Sequence, residues 1–311
     1  MAEGFVIFAG TANAELAAGV ARELGVQLGA CAVERFPDGE TSVRLDEPVR
    51  GREVFVVQPT SPPVNDHLVE LLAFADGCRR ASASRTTAIV PYFGYARSDK
   101  RDGRRVPVMA SMAADLMQVA GIAHVVTVDV HTPQLEGFFR IPVDSLTAVP
   151  ILADAMRERL PKETVVVSPD AGRVRMATEF AHRLKTSVVV LHKRRESGAE
   201  TKVTHLVGDV RDRACLIIDD MISTGGTMAE SIEALLNAGA RPEITIAATH
   251  GLMLDGTRKN LEHEGVREVF VTDTVQATNE RWPNLRVVSV APLIARAIRQ
   301  FMTDGSLSDL C

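Results

Sequence analysis

The residues best suited to chemistry lie together in Cys215–Thr227, CLIIDDMISTGGT. An apolar run delivers two adjacent carboxylates, Asp219 and Asp220, to its end. A short turn follows, Ser223-Thr224-Gly225-Gly226-Thr227, and a helical pattern begins there. Glycines let a backbone approach a ligand closely and adopt positive φ. The N–H groups at a helix start, with the positive end of its dipole, suit a phosphate. Carboxylates just upstream suit the vicinal hydroxyls of a sugar. Together these features point to a pocket for a phosphorylated ribose. The competing reading is a tight strand-to-helix turn with Thr224 or Thr227 as a mere cap.

Other polar groups also follow apolar runs. Lys193 and Arg195 come just after the run ending at Leu191, ahead of ESGAETK, which reads as a mobile loop. His131 follows VVTVDV and Asp170 follows VVVS, which places both at the same sheet edge. A solvated basic run and a loop-capping histidine are the competing readings.

Elements must position these groups. Short Val/Ile-rich runs alternate with longer helical patterns almost throughout, as at Phe5–Ala9, Val54–Gln58, Thr87–Pro91, Cys215–Asp219 and Ile244–Thr249. Runs apolar on both faces are expected of strands covered by helices on each side. The rhythm predicts an α/β fold with largely parallel sheets, in which ligands sit beyond the carboxyl ends of strands. A boundary falls near Ile141–Thr147, dividing the chain into domains 1–145 and 146–311. The halves share a pattern: VFVVQPTSPPVNDHLVELLAF before TTAIVPYFG, and CLIIDDMISTGGTMAESIEALLNAG before ITIAATHG. This suggests a duplication in which the second copy alone kept the acidic pair and the glycines. Unrelated strand orders in the two halves would end that idea.

Composition bounds the answer. The chain has 311 residues, 46% apolar and 24% charged, an ordinary globular make-up rather than a disordered one. Lys plus Arg number 35 against 40 Asp plus Glu, a net charge of −5, which argues against a protein that coats nucleic acid. No apolar run reaches the ~18 residues of a membrane span. The first basic residue is Arg22, so a secretory leader is not expected at this N-terminus. Cys31, Cys78, Cys215 and Cys311 are widely spaced and read as idle thiols of a reducing cytoplasm.

The acidic-pair segment resembles the ribose-5-phosphate loop of the type I phosphoribosyltransferase fold. The match then narrows to one family, the ribose-phosphate diphosphokinases. Val128–Leu146, VDVHTPQLEGFFRIPVDSL, resembles their DLHxxQxxGFF signature. RFPDGE at Arg35–Glu40, QPTSPPVNDHLVELL at Gln58–Leu72, PYFGYARSDK at Pro91–Lys100, SPDAG at Ser168–Gly172 and HKRRE at His192–Glu196 follow in the family's order. The resemblance spans essentially the whole chain.

It implies two similar phosphoribosyltransferase-like domains, each with a mostly parallel central sheet flanked by helices. It also implies ATP:D-ribose-5-phosphate diphosphotransfer in the cytoplasm, for nucleotide biosynthesis. Ribose 5-phosphate attacks the β-phosphorus of ATP, giving 5-phospho-α-D-ribose 1-diphosphate and AMP. By the same resemblance Lys193 and Arg195 are catalytic and close over ATP. Phe36, Asp38, Gly39, Glu40, Arg97 and Ser98 bind ATP, with Phe36 stacking on adenine. Asp219, Asp220, Ser223, Thr224, Gly225, Gly226 and Thr227 hold ribose 5-phosphate. His131 and Asp170 contact Mg²⁺, directly or through water. No nucleic acid or membrane partner is implied. A homo-oligomer is implied, a hexamer of dimers in which neighbouring subunits share the ATP site.

The chain departs from the family pattern at several points. Ser98 stands where Gln is usual, Arg173 where Gly is usual, and Met176 where Arg is usual. His192 and Ser223 each stand where Asp is usual. These changes motivate an alternative, a catalytically weak or regulatory subunit of the same family. A phosphoribosyltransferase that consumes the diphosphate sugar would explain IIDDMISTGGT but not RFPDGE or GYARSD.

Overall fold

Runs of apolar residues become strands buried along most of their length, as in VFVV of Glu53–Val57 and HVVTV of His124–Val128. The computed structural model describes residues 4–101, 103, 105–197, 200–276 and 282–311, with the backbone alone for 193–197 and 200–204. Contacts divide the chain into two units: Met1–Thr147 with Thr274–Gln276 and Ser289–Cys311, and Ala148–Asp273 with Ala277–Val288.

The first unit runs β1 (Phe5–Ala9), α1 (Ala14–Leu24), β2 (Cys31–Arg35), β3 (Thr41–Leu45), β4 (Glu53–Val57), α2 (Val64–Arg80), β5 (Arg85–Val90), α3 (Met109–Ala120), β6 (His124–Val128) and β7 (Val143–Leu146). Five strands form one sheet in the order β1-β4-β5-β6-β7, every neighbouring pair parallel. β2 and β3 make a separate antiparallel hairpin. Asn13 starts α1 by accepting the Leu16 N–H, and Gly25, at φ 72°, ends it. Phe8, Phe74, Val54, Val56 and Met117 are among the residues that fill this unit's core.

The second unit runs α4 (Val149–Met156), β8 (Val165–Ser168), α5 (Val174–Leu184), β9 (Val188–Ser197), β10 (Glu200–Val207), β11 (Cys215–Ile222), α6 (Gly226–Asn237), β12 (Ile244–Gly251), α7 (Thr257–Leu261), β13 (Val266–Thr272) and β14 (Leu285–Val288). Its sheet has the order β10-β9-β8-β11-β12-β13-β14, parallel except for the β9–β10 pair. Taken in chain order, β8-β11-β12-β13-β14 repeats β1-β4-β5-β6-β7, with a hairpin inserted after the helix that follows the first strand of each sheet series, α1 in one unit and α5 in the other. The strand orders therefore agree with duplication.

Three expectations change. IPVDSLT does not merely separate two halves: Val143–Leu146 is β7, which pairs with β6 before the chain passes to the second unit. The tail, grouped with the second half from its place in the chain, belongs to the first unit. There α8 (Ala291–Met302) packs on α1, and Phe301 sits 6.1 Å from Phe55 and 4.8 Å from His124, ring to ring. Burial of its apolar face outweighs chain order. ESGAETK is not simply a loop, because β9 continues to Ser197 and pairs antiparallel with β10. β-branched Thr201, Val203 and Thr204 favour that extended arm. Among the described residues no helix is long and apolar enough to cross a membrane.

Candidate active site

Register opens the crevice at the end of β11. Cys215–Ile218 are buried, and β12 pairs with β11 as far as Ile222. On the other side β8 pairs with Cys215–Ile217 and goes no further. Asp219 and Asp220 thus emerge where β11 has lost one neighbour. The chain leaving β8 turns over this gap. Asp170 Oδ1 accepts the N–H groups of Gly172 at 2.8 Å and Arg173 at 3.2 Å, starting a 3-10 turn that leads into α5. That turn sends Arg173 to the acidic pair. Its Nε lies 2.9 Å from Asp219 Oδ1, and its Nη2 2.9 Å from Asp220 Oδ1. The Asp220 N–H also donates to Asp219 Oδ1, at 2.8 Å.

The electrostatics follow from this burial. Removal from water and the adjacent Asp220 push the Asp219 carboxyl well above the usual carboxylate range, while Arg173 pulls it back. Burial works against the Arg173 charge, but Asp220 and Asp219 outweigh it and hold that guanidinium above its ordinary value.

The loop after β11 is held from behind. Ser223 O accepts the Leu254 N–H at 2.9 Å and the Thr257 hydroxyl at 2.5 Å, and Asn260 Nδ2 donates to Thr224 O at 2.8 Å. Gly225 takes φ 79°, and a Cβ there would meet Leu261 and Asn260 at 3.3–3.4 Å. Position 225 therefore favours glycine, for the positive φ above all and for the close neighbours second. The first i→i−4 bond of α6 runs from Ala229 N–H to Gly225 O, at 2.9 Å. The N–H groups ahead of it point along the helix axis, the cap residue Gly225 has no side chain to bond them, and the first turn carries no acidic residue. This end of α6 is built to receive an anion.

The structure thus brings Asp219, Asp220, Ser223, Thr224, Gly225, Gly226 and Thr227 into one strand-turn-helix. Lys193 and Arg195 lie on β9, opposite Val203 and Thr201 in the ladder, and their side chains fall outside the described residues. In the first unit, Phe36, Asp38, Gly39 and Glu40 form the tip of the β2–β3 hairpin. Phe36 is 46% exposed, its N–H donates to Glu40 O, and Gly39 turns the chain at φ 94°. Arg97 is exposed in the segment after β5. Ser98 Oγ accepts the Met109 N–H at 3.3 Å and so caps α3. His131 follows β6 of the first sheet and Asp170 follows β8 of the second, so they do not share one sheet edge. Among the described residues no three His, Cys, Asp or Glu side chains cluster as a metal site. Sequence reading missed Thr257 and Asn260, whose five-residue helix is too short for a periodic signal. It noticed Arg173 as a departure but not as the partner of the acidic pair.

A parallel sheet with an acidic strand end, a glycine turn and an uncapped helix start defines a phosphoribosyltransferase-type domain. A family model described as the N-terminal domain of ribose phosphate pyrophosphokinase matches residues 5–121, and one described as the phosphoribosyl transferase domain matches residues 149–283. The ribose-phosphate pyrophosphokinase of Thermotoga maritima is 44% identical over 98% of this chain and 97% of its own. That of Brucella melitensis is 43% identical over 98% and 99%. The crystal structure of phosphoribosylpyrophosphate synthetase from Mycobacterium smegmatis matches with a TM-score of 0.91 and 42% identity, covering 97% of this chain and all of that one. The chain belongs to the ribose-phosphate pyrophosphokinase family.

Proposed function

We propose that this protein transfers the diphosphoryl group of ATP to the anomeric oxygen of ribose 5-phosphate, releasing AMP. The observation that carries this reading is the β11–α6 segment, where two acidic side chains stand beside an uncapped helix start. The N–H groups of the turn and of the first residues of α6 hold the 5-phosphate. Asp219 and Asp220 accept hydrogen bonds from the 2- and 3-hydroxyls, which orients the anomeric hydroxyl for attack. Lys193 and Arg195 offset the charge that develops on the transferring group, the main demand of phosphoryl chemistry. Phe36 offers a face to adenine, and Asp38, Gly39, Glu40, Arg97 and Ser98 line the nucleotide's path. The Ser98 hydroxyl accepts the Met109 N–H and keeps its own proton to donate to the nucleotide.

Asp170 in the second unit, and His131 in the first, would each contact Mg²⁺ directly or through water, with substrate phosphate oxygens completing the donors. A small donor set fits this cation, which takes one or two protein contacts and retains its waters. Bound there, Mg²⁺ neutralises phosphate charge. Asp170 Oδ1 already serves two N–H groups, which fixes the carboxylate's orientation. The enzyme works in the cytoplasm as a homo-oligomer, a hexamer of dimers whose neighbouring subunits share the ATP site.

The test is AMP release by the purified chain with ATP, ribose 5-phosphate and Mg²⁺. Lys193→Ala lowers kcat by about 10²–10³, the scale of a lost transition-state donor. Wild-type protein that releases no AMP above the Lys193→Ala background overturns the reading.

A further inference from the structure

The acidic pair is not presented bare to a ligand. Arg173 is 16% exposed in its side chain, Asp219 12% and Asp220 3%. Two adjacent carboxylates removed from water need a cation that faces both. A planar guanidinium meets that need in a way a point charge does not. Nε and Nη2 engage one oxygen of each carboxylate, which fixes the rotation of both side chains. The backbone holds Arg173 in turn, since its N–H and that of Gly172 donate to Asp170 Oδ1. The guanidinium is therefore anchored at its root and at its tip.

We infer that Arg173 is a positioning residue that sets selectivity for a vicinal diol, by fixing the carboxylate oxygens that receive the sugar hydroxyls. This rests on the sugar-phosphate reading of the β11–α6 segment. It concerns one end of one substrate. In that reading the 5-phosphate is held by the turn, and no contact to the nucleotide is assigned to the Arg173 guanidinium. Loss of the guanidinium should therefore weaken the sugar and its discrimination while sparing ATP. The opposite view is that Arg173 plugs the site, in which case its loss would tighten sugar binding.

The experiment uses the full chain as wild type, Arg173→Met and Arg173→Lys, with thermal melting to verify folding. Calorimetry measures ribose 5-phosphate and 2-deoxyribose 5-phosphate, and AMP release gives KM for both substrates. Arg173→Met should weaken ribose 5-phosphate about tenfold or more, as expected for hydrogen bonds to charged groups. Its preference for ribose over 2-deoxyribose should fall towards unity, with KM for ATP little changed. Arg173→Lys should restore part of the preference, because an ammonium reaches one carboxylate better than two. Unchanged or tighter ribose 5-phosphate binding in Arg173→Met overturns the inference. So does an equal loss for both sugars with the preference intact, which would mark a purely structural role. If Arg173→Met does not fold, Arg173→Lys decides: a preference equal to wild type overturns the inference. Wild-type protein that binds ribose 5-phosphate in an Arg173-dependent way yet makes no AMP would sink the diphosphotransfer reading alone. Wild-type protein that binds neither sugar sinks both.

Discussion

β4 and β11 occupy the same place in two sheets of matching strand order, yet their ends are finished differently. In the second unit the strand ends in Asp219 and Asp220, and α6 begins from Gly225 at positive φ. In the first unit the strand is followed by fully buried Gln58, and α2 begins from Pro63. Gln58 Oε1 accepts the Ala12 N–H at 3.1 Å, and its Nε2 donates to His67 O at 3.3 Å. A Cβ on Gly10 would lie 2.1 Å from Gln58 Oε1, so glycine there admits the bridge. Glu70, also fully buried within α2, accepts both the N–H and the hydroxyl of Thr11, so its carboxylate is spent on the 3-10 turn that leads into α1. Pro62 and Pro63 bring no N–H groups to the turn. One unit closes the seam with neutral amides and its own acid. The other leaves an anion cradle and neutralises its acids with Arg173. Topology supplies the seam, and a handful of side chains decide whether it becomes core or site.

The largest effect should come from giving the second unit the first unit's turn. Thr224→Pro with Gly225→Pro removes two N–H donors and forbids the positive φ at 225. AMP formation should fall by about 10³ or more, the scale of losing an anion-stabilising cradle, and calorimetric ribose 5-phosphate binding should vanish. Retained binding in a folded double variant would break the comparison.

A smaller effect, on stability rather than chemistry, is expected in the first unit. Gln58→Leu strands the Ala12 N–H, while the His67 carbonyl keeps its place in the i→i−4 ladder of α2. Denaturant unfolding should show a loss of about 1–3 kcal/mol, from one unsatisfied buried group. AMP formed per folded molecule should be unchanged; a selective fall in kcat would mean that the first seam also does chemistry.

The last effect, silent at neutral pH, falls where the units behave alike. Burial pushes the Cys78 thiol up to about 11 and the Cys215 thiol up to about 12, from an ordinary value of 9.0. Each stays protonated in the folded chain while the unfolded chain ionises. Stability from these thiols is therefore complete below pH 9.0 and falls as pH rises towards 11 or 12. The slope is about 1.4 kcal/mol per pH unit for each thiol. Unfolding midpoints followed from neutral to alkaline pH should slope less steeply in Cys78→Ala and in Cys215→Ala. An unaltered slope in either would contradict its burial effect.

Much of this was legible residue by residue. The alternation of Val/Ile-rich runs with amphipathic stretches marks most strands and helices, because burial on both strand faces leaves a local trace. β7 was obscured because Val143-Asp144-Ser145-Leu146 is short and mixed in polarity. It becomes a strand by pairing with β6, and Asp144 meets His124 Nε2 at 2.6 Å. α7 was missed because five residues carry no period, although Thr257 and Asn260 secure the phosphate turn.

By itself the sequence determined the β11–α6 strand-turn-helix: the apolar run, the two acids, the glycines and the helix that follows are all local signals. The tertiary structure alone decided that Arg173, 46 positions before Asp219, would bridge the acids, and that α8 would return to the first unit. Such partners meet through strand register and chain reversal. These depend on which surfaces bury each other, and no local pattern of residues encodes them.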